Sequence, residues 1–324
     1  AYERLALDGR AAFTLTEELA IEGTVCVDGT FADEQISGCI DAEGDLQAVQ
    51  LDARFRMPFT FAGNGTVALA ENGPIDLAAS WQNANLAAVA NTASPAGSLQ
   101  LSGTVLRPRI DAAGTIVYGQ ETAEFTTSAV INADDIDLAL VRLVQGNTSA
   151  ELSGVLTRTL ETGEFELELR NIDPQRWVAD WRGSLDATAR VSVRTQPALE
   201  ILASDIVARG DLQDYPIAAV GALSFADEVL TIDALQVVSR SDQITLSGRV
   251  ANDLDVELEA SIADLSIVGG DFSGAVSADL RITGSPSQPF VRGAIDLVDF
   301  QSGQVGAQTL QITGNAGLGS DDAF

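Results

Sequence analysis

The chain has 324 residues and a net charge of −29, from 47 acidic residues against 18 basic ones, with no histidine. Every one of those basic residues is arginine, and a balance of this sign repels phosphate backbones and broad anionic membrane surfaces, so nucleic-acid partners are disfavoured. Without histidine or lysine, a Ser-His-Asp or Cys-His arrangement, the commonest zinc ligand, a P-loop lysine and a Schiff base are all excluded.

Aromatic residues make up 6% and there is one methionine, so apolar surface must come from Val, Leu, Ile and Ala, as pleated sheets commonly arrange. From Leu5 to Val67 short alternating runs read as strands: Leu5 and Leu7, Phe13 and Leu15, Val25 and Val27, Val49 to Phe55, then Phe59 to Val67. Turn clusters such as Asp28-Gly29, Glu43-Gly44-Asp45 and Asn72-Gly73-Pro74 separate them. Cys26 and Cys39 fall opposite each other if a hairpin is centred between Ala32 and Asp33. They are either a disulfide, worth about 3 kcal/mol in an oxidising compartment, or two buried thiols.

Asp76 to Trp81 begins a further strand, and Trp81 to Asn91 reads as irregular or as a short helix. Strands follow over Gly97 to Val117, Gln120 to Val130, Ile136 to Val144, Ala150 to Leu156 and Phe165 to Leu169. One helix interrupts them. Asp173 is a good N-cap, Pro174 suits the first helical position, and Trp177 and Trp181 are spaced to share a face, which predicts a short amphipathic helix over 174–181.

The stretch from Ile217 to Ile262 can be solved for register. A two-residue turn at Asp227-Glu228 sets Phe225 on Leu230 and Leu223 on Ile232, and a hairpin centred between Arg240 and Ser241 sets Val237 on Ile244 and Leu235 on Leu246. The parity slips between Ala234 and Leu235, where a bulge is expected. The next reversal sets Val250 on Leu254, Gly248 on Val256, Leu246 on Leu258 and Ile244 on Ala260. One face is then continuously apolar, while Asp253, Asp255, Glu257, Glu259 and Ser261 form a row suited only to water.

A longer repeat overlies this pattern. Gly97-Ser98-Leu99 leads to Pro108, Gly183-Ser184-Leu185 to Pro197, and Gly274-Ala275-Val276 to Pro289, the prolines being about 90 residues apart. Such a period suits a sheet that grows by multi-strand modules, placed here at 97–182, 183–273 and 274–324. At about 11 residues per strand and turn, about 28 strands would extend about 130 Å, too long for one globule.

No setting singles out a catalytic pair of carboxylates. Asp134-Asp135 and Asp321-Asp322 sit in turns or at the end of the chain, and Gly269-Gly270-Asp271 lacks the second step of a calcium nonapeptide. No enzyme activity, cofactor or metal is expected.

The run from Asn171 to Leu185, with Asp173-Pro174, Trp177 and Trp181, and the run from Ala278 to Phe300, with Ile282-Thr283-Gly284 and Gln288-Pro289-Phe290-Val291, resemble the TamB family of the AsmA-like superfamily. The resemblance is strongest from Gly97 to Gly314. It implies a periplasmic all-β protein, anchored to the inner membrane in its full length, whose antiparallel sheet curls into an open trough with a hydrophobic interior. It also implies phospholipid movement between inner and outer membranes, and outer-membrane biogenesis with the barrel partner TamA. The chain starts at Ala1 without a signal-like segment and reads as a piece of a longer chain, so neither anchor nor partner contact is assigned to a residue.

The residue pattern leads to the same mechanism. A sheet with one apolar face must bury it on another layer, close into a barrel, or shelter another apolar molecule. With a single short helix available, the expected occupants are acyl chains lying on Leu99, Leu101, Val105, Leu223, Phe225, Leu230, Ile232, Leu235, Val237, Ile244, Leu246, Val250, Leu254, Val256, Leu258, Ile262, Leu280, Ile282, Val291, Ile295 and Leu297. The rival is an adhesin-like array of β-sandwich domains whose apolar faces pack on one another without a ligand. A carbohydrate-active β-helix is disfavoured by the scarcity of aromatic platforms.

Overall fold

The computed structural model describes residues 5–15, 19–31, 34–45, 47–56, 60–70, 72–82, 93–118, 121–176, 181–213, 215–265, 272–303 and 305–317. The chain divides into two compact units, Ala1–Leu160 and Glu161–Phe324. The first holds β1 (Leu5–Leu15), β2 (Leu19–Phe31), β3 (Glu34–Asp45), β4 (Val49–Arg56), β5 (Thr60–Val67), β6 (Pro74–Gln82), β7 (Ala93–Thr104), β8 (Arg107–Tyr118), β9 (Glu121–Ile131), β10 (Asp135–Gln145) and β11 (Thr148–Thr157). The second holds β12 (Thr162–Ile172), β13 (Gly183–Arg194), β14 (Glu200–Leu212), β15 (Tyr215–Ala226), β16 (Val229–Ser239), β17 (Asp242–Val250), β18 (Leu254–Ile262), β19 (Phe272–Ser285), β20 (Gln288–Ser302) and β21 (Val305–Gly317).

Within each unit the strands form an antiparallel meander, each pairing with its neighbours in sequence. No pairing joins β1 to β11, or β12 to β21, among the described residues, so neither unit closes into a barrel. Among the described residues the strands run longer than expected, up to 15 residues in β20, and are correspondingly fewer than the length-based figure of about 28. Alternation explains them: β5 and β6 alternate exposed and half-buried positions without a break.

The turns behave as their chemistry asks. Asp227 and Glu228 both have positive φ (51° and 63°), the geometry of a tight hairpin turn whose twist matches its strands. Phe225 pairs with Leu230 and Leu223 with Ile232 as read from the sequence. The β16–β17 and β17–β18 registers also match, Leu235 lying opposite Leu246 and Leu246 opposite Leu258. The expected bulge is present: the β16 register shifts between Ile232 and Leu235.

The α-helix expected over 174–181 is corrected where it would begin. Its beginning is a single 3-10 turn, Pro174–Arg176, in which the backbone N–H of Gln175 donates to Asp173 Oδ1 at 3.0 Å. Trp181 is already outside any helix, and 177–180 lie outside the described residues. The N-cap and proline are satisfied by that one tight turn. The segment read as irregular or helical after Trp81 also lies outside the described residues, over 83–92. The repeated Gly-to-Pro phrases fall on β7–β8, β13–β14 and β19–β20.

Candidate functional site

Directly opposed residues in an antiparallel ladder project to the same face, so the registers define rows of side chains across the strands. In the second unit one row runs Leu223, Ile232, Gly248, Val256, Ile282, Val291 and Ala316. The next joins Leu235, Leu246, Leu258, Leu280, Gly293 and Gly314. A third joins Ala219, Val237, Ile244, Ala260, Ala278, Ile295 and Ile312. Phe225, Leu230, Val250 and Leu254 continue the face towards one set of turns, and Ile262, Val276, Leu297 and Leu310 towards the other.

All but three of the residues predicted for the site therefore share one face of the second unit. Leu99 and Leu101 lie on the apolar face of the first unit, opposite Ala79 and Leu77. Val105 stands apart. It lies in the two-residue turn between β7 and β8, 47% exposed, because the chain reverses before the alternation reaches it.

Several residues of the face were not among those predicted. Phe165, Leu167, Leu169 and Ile172 oppose Val191, Ala189, Ala187 and Leu185, and Ile201 and Ala203 carry the face on to Phe225 and Leu223. Their alternation is visible in the sequence, but the bulges that shift the registers of β12–β13, β13–β14 and β14–β15 are not.

The face is covered only in part. Val256 and Ile232 are the most enclosed, at 7% and 9% exposure, and no large side chain among the described residues is fully buried. A β-sandwich of this size would enclose its inner layer.

The opposite face carries the charge. Arg281 grips Asp255 with two hydrogen bonds, Nε to Oδ1 at 2.9 Å and Nη2 to Oδ2 at 3.0 Å, and lies 3.6 Å from Glu257. Arg142 meets Glu151 at 3.1 Å and Arg190 meets Asp205 at 3.2 Å. Arg109 donates to Asp111 from Nε and Nη2, and these bonds together with Ser128 hold the Asp111 carboxyl below the usual carboxylate range. Cys26 and Cys39 also lie on this face, bonded as a disulfide at a directly opposed pair of β2 and β3. Among the described residues no group of acidic or cysteine side chains is placed to hold a metal, and no helix is long and apolar enough to cross a membrane.

These features define a class: an all-β protein of antiparallel meanders, acidic on one face and apolar and incompletely covered on the other. The chain matches the family described as "TamB, N-terminal domain" over residues 5–321, and it belongs to that family. Membership associates it with the translocation and assembly module, with outer-membrane biogenesis and with the periplasmic envelope. No curated protein matches it.

Proposed function

We propose that the apolar face is a groove for phospholipid acyl chains and that the chain is a length of periplasmic bridge along which phospholipids pass between inner and outer membranes. The sheet then curls into a trough, with Leu, Ile and Val against the tails and the acidic face against water. The observation that carries this reading is the continuity of the apolar rows in each unit, with no protein layer among the described residues that encloses them. Uncovered apolar surface of that extent aggregates unless something apolar occupies it. A row of aliphatic side chains offers no fixed polar contact, so nothing holds a lipid at one place and it slides. Membership of the family supports TamA as partner and an inner-membrane anchor elsewhere in the full protein. The role is transport rather than catalysis.

Leu246→Asp or Leu258→Asp places a carboxylate in the middle of the face, where desolvating it among hydrocarbon is strongly unfavourable. The expected outcome is a folded protein that no longer transfers phospholipid between donor and acceptor vesicles. Transfer equal to that of the parent chain contradicts the groove.

A further inference from the structure

In the second unit the charged face is interrupted at β15. Of the strands β12 to β20, β15 alone has no charged residue, and no residue from Ile217 to Leu223 has a polar side chain. A strand wetted on one side alternates, whereas an unbroken apolar run belongs to a strand covered on both faces. Ile217, Ala219, Gly221 and Leu223 serve the apolar face, and Pro216, Ala218, Val220 and Ala222 stand on the other. Val207 lies directly opposite Val220, and Val238 opposite Ala218, which makes one patch across β14, β15 and β16. It is open to solvent: Val220 is 46% exposed and Val238 37%.

The shape and the surroundings of the patch select its partner. β15 is already hydrogen-bonded to a strand on each side, so no further strand can pair with it and only side chains are on offer. From Pro216 to Ala222 the patch runs about 20 Å along the strand, at 3.4 Å per residue, and three strands make it about 10 Å wide. Those are the length of about 14 helical residues and the width of one helix. Acids flank it on both long sides. The row through Val207 and Val220 turns polar at Thr188 and Gln236 and reaches Glu168 on one side and Glu259 on the other. The row through Leu202 reaches Glu164 and Asp255 in the same way. Arg209, opposite Ala218, and Arg249, opposite Thr231, are the cations on these strands nearest the patch, and acids outnumber arginines around it.

We infer that the outer face of β14 to β16 is a docking site for an amphipathic helix of a partner protein. The helix lies along β15 with its apolar stripe on Val207, Val220 and Val238, and it carries lysine or arginine on both flanks of that stripe. Glu164 and Glu168 on one side, and Asp255 and Glu259 on the other, stand three strands from β15, about 14 Å, which long basic side chains approach from a helix of this width. The site is on the face opposite the acyl-chain groove and does not depend on it.

The test uses two synthetic helical peptides of about 14 residues with the same leucine stripe, one with lysine and one with glutamate on both flanks. The chain is expected to bind the lysine peptide and not the glutamate peptide, and Val220→Thr with Val238→Thr is expected to weaken binding about tenfold. Threonine keeps the β-branching that strands favour and leaves the net charge unchanged, so general attraction of a cationic peptide is the same for both chains. Leu246→Asp, on the groove face, is expected to leave binding as it is. No binding of the lysine peptide, or equal binding to parent and double variant, overturns the docking site. Binding lost in Leu246→Asp instead places the peptide in the groove and overturns it too. Flotation with phosphatidylcholine vesicles, or a dimer of the chain, that disappears in the double variant identifies a membrane or a second copy as the occupant and likewise overturns it. If the double variant does not fold, Glu168→Gln with Glu259→Gln takes its place: binding about fivefold weaker supports the site, and unchanged binding overturns it.

Discussion

The two units make an apolar face by different means. In the first, β1 to β9 pair without a register shift, and a disulfide pins β2 to β3, so rings and glycines can line up across many strands. In the second, every ladder from β12–β13 to β16–β17 carries a bulge, and the face is built of Leu, Ile and Val. A ring that covers a glycine two strands away demands fixed lateral register. Branched aliphatic side chains do not, because any of them packs acceptably on any other. Bulges, which increase local twist, are therefore tolerated in the second unit and at β10 of the first, whereas among β4 to β9 they would break the alignment of Phe55, Phe61, Trp81 and Phe125.

The largest test of that contrast is the disulfide. Replacing Cys26 and Cys39 by serine removes a short-loop crosslink, and the first unit is expected to lose about 3 kcal/mol of stability while the second is unchanged. Hydrogen exchange resolved by unit checks this, and equal loss of protection in both units contradicts it.

Glycine substitutions sharpen the comparison next. Gly97→Val must displace the Trp81 ring or the backbone carbonyl of Ala113, for an expected cost of about 2 kcal/mol. Gly314 lies on the apolar face of the second unit with nothing within 4 Å of an added Cβ, so Gly314→Val should change stability by less than about 0.5 kcal/mol. Denaturant midpoints of the two variants decide it.

The smallest effects are expected from the charged face, which the units share in kind. Asp255→Asn beside Arg281 and Asp111→Asn beside Arg109 each remove an exposed pair, and each should cost under about 1 kcal/mol and less at high salt. Asp111 adds a pH dependence. Its carboxyl titrates lower in the folded state than in the unfolded state, so its contribution is present above the ordinary aspartate value of about 3.9 and is lost as pH falls through the lower folded value. Acid titration of the parent chain against Asp111→Asn should show a small difference confined to that range.

Much of the second unit was legible before any coordinates. Two-residue reversals fix a hairpin register by arithmetic, and from Leu223 to Leu258 that arithmetic placed each residue opposite its partner. Even the bulge near Ala234 followed from a break in parity. The alignment of rings in the first unit was not legible for the opposite reason. Trp81 and Phe125 are brought together through Gly97 and Gly114, and the separation in sequence between β6 and β7 is too long for a hairpin register to be counted across it. The α-helical start expected at Pro174 was overread because a good cap and a proline satisfy one 3-10 turn as well as an α-helix. Val105 was misplaced because it continues the apolar spacing of β7 one step past the strand's end.

The most direct test of the groove is what the chain carries. Native mass spectrometry of the protein purified from bacterial envelopes, compared with the same protein after delipidation, should show phospholipid bound to the first and absent from the second, with Leu246→Asp depleted of it. A chain that emerges from envelopes free of lipid, folded and soluble with its apolar rows intact, would contradict the account.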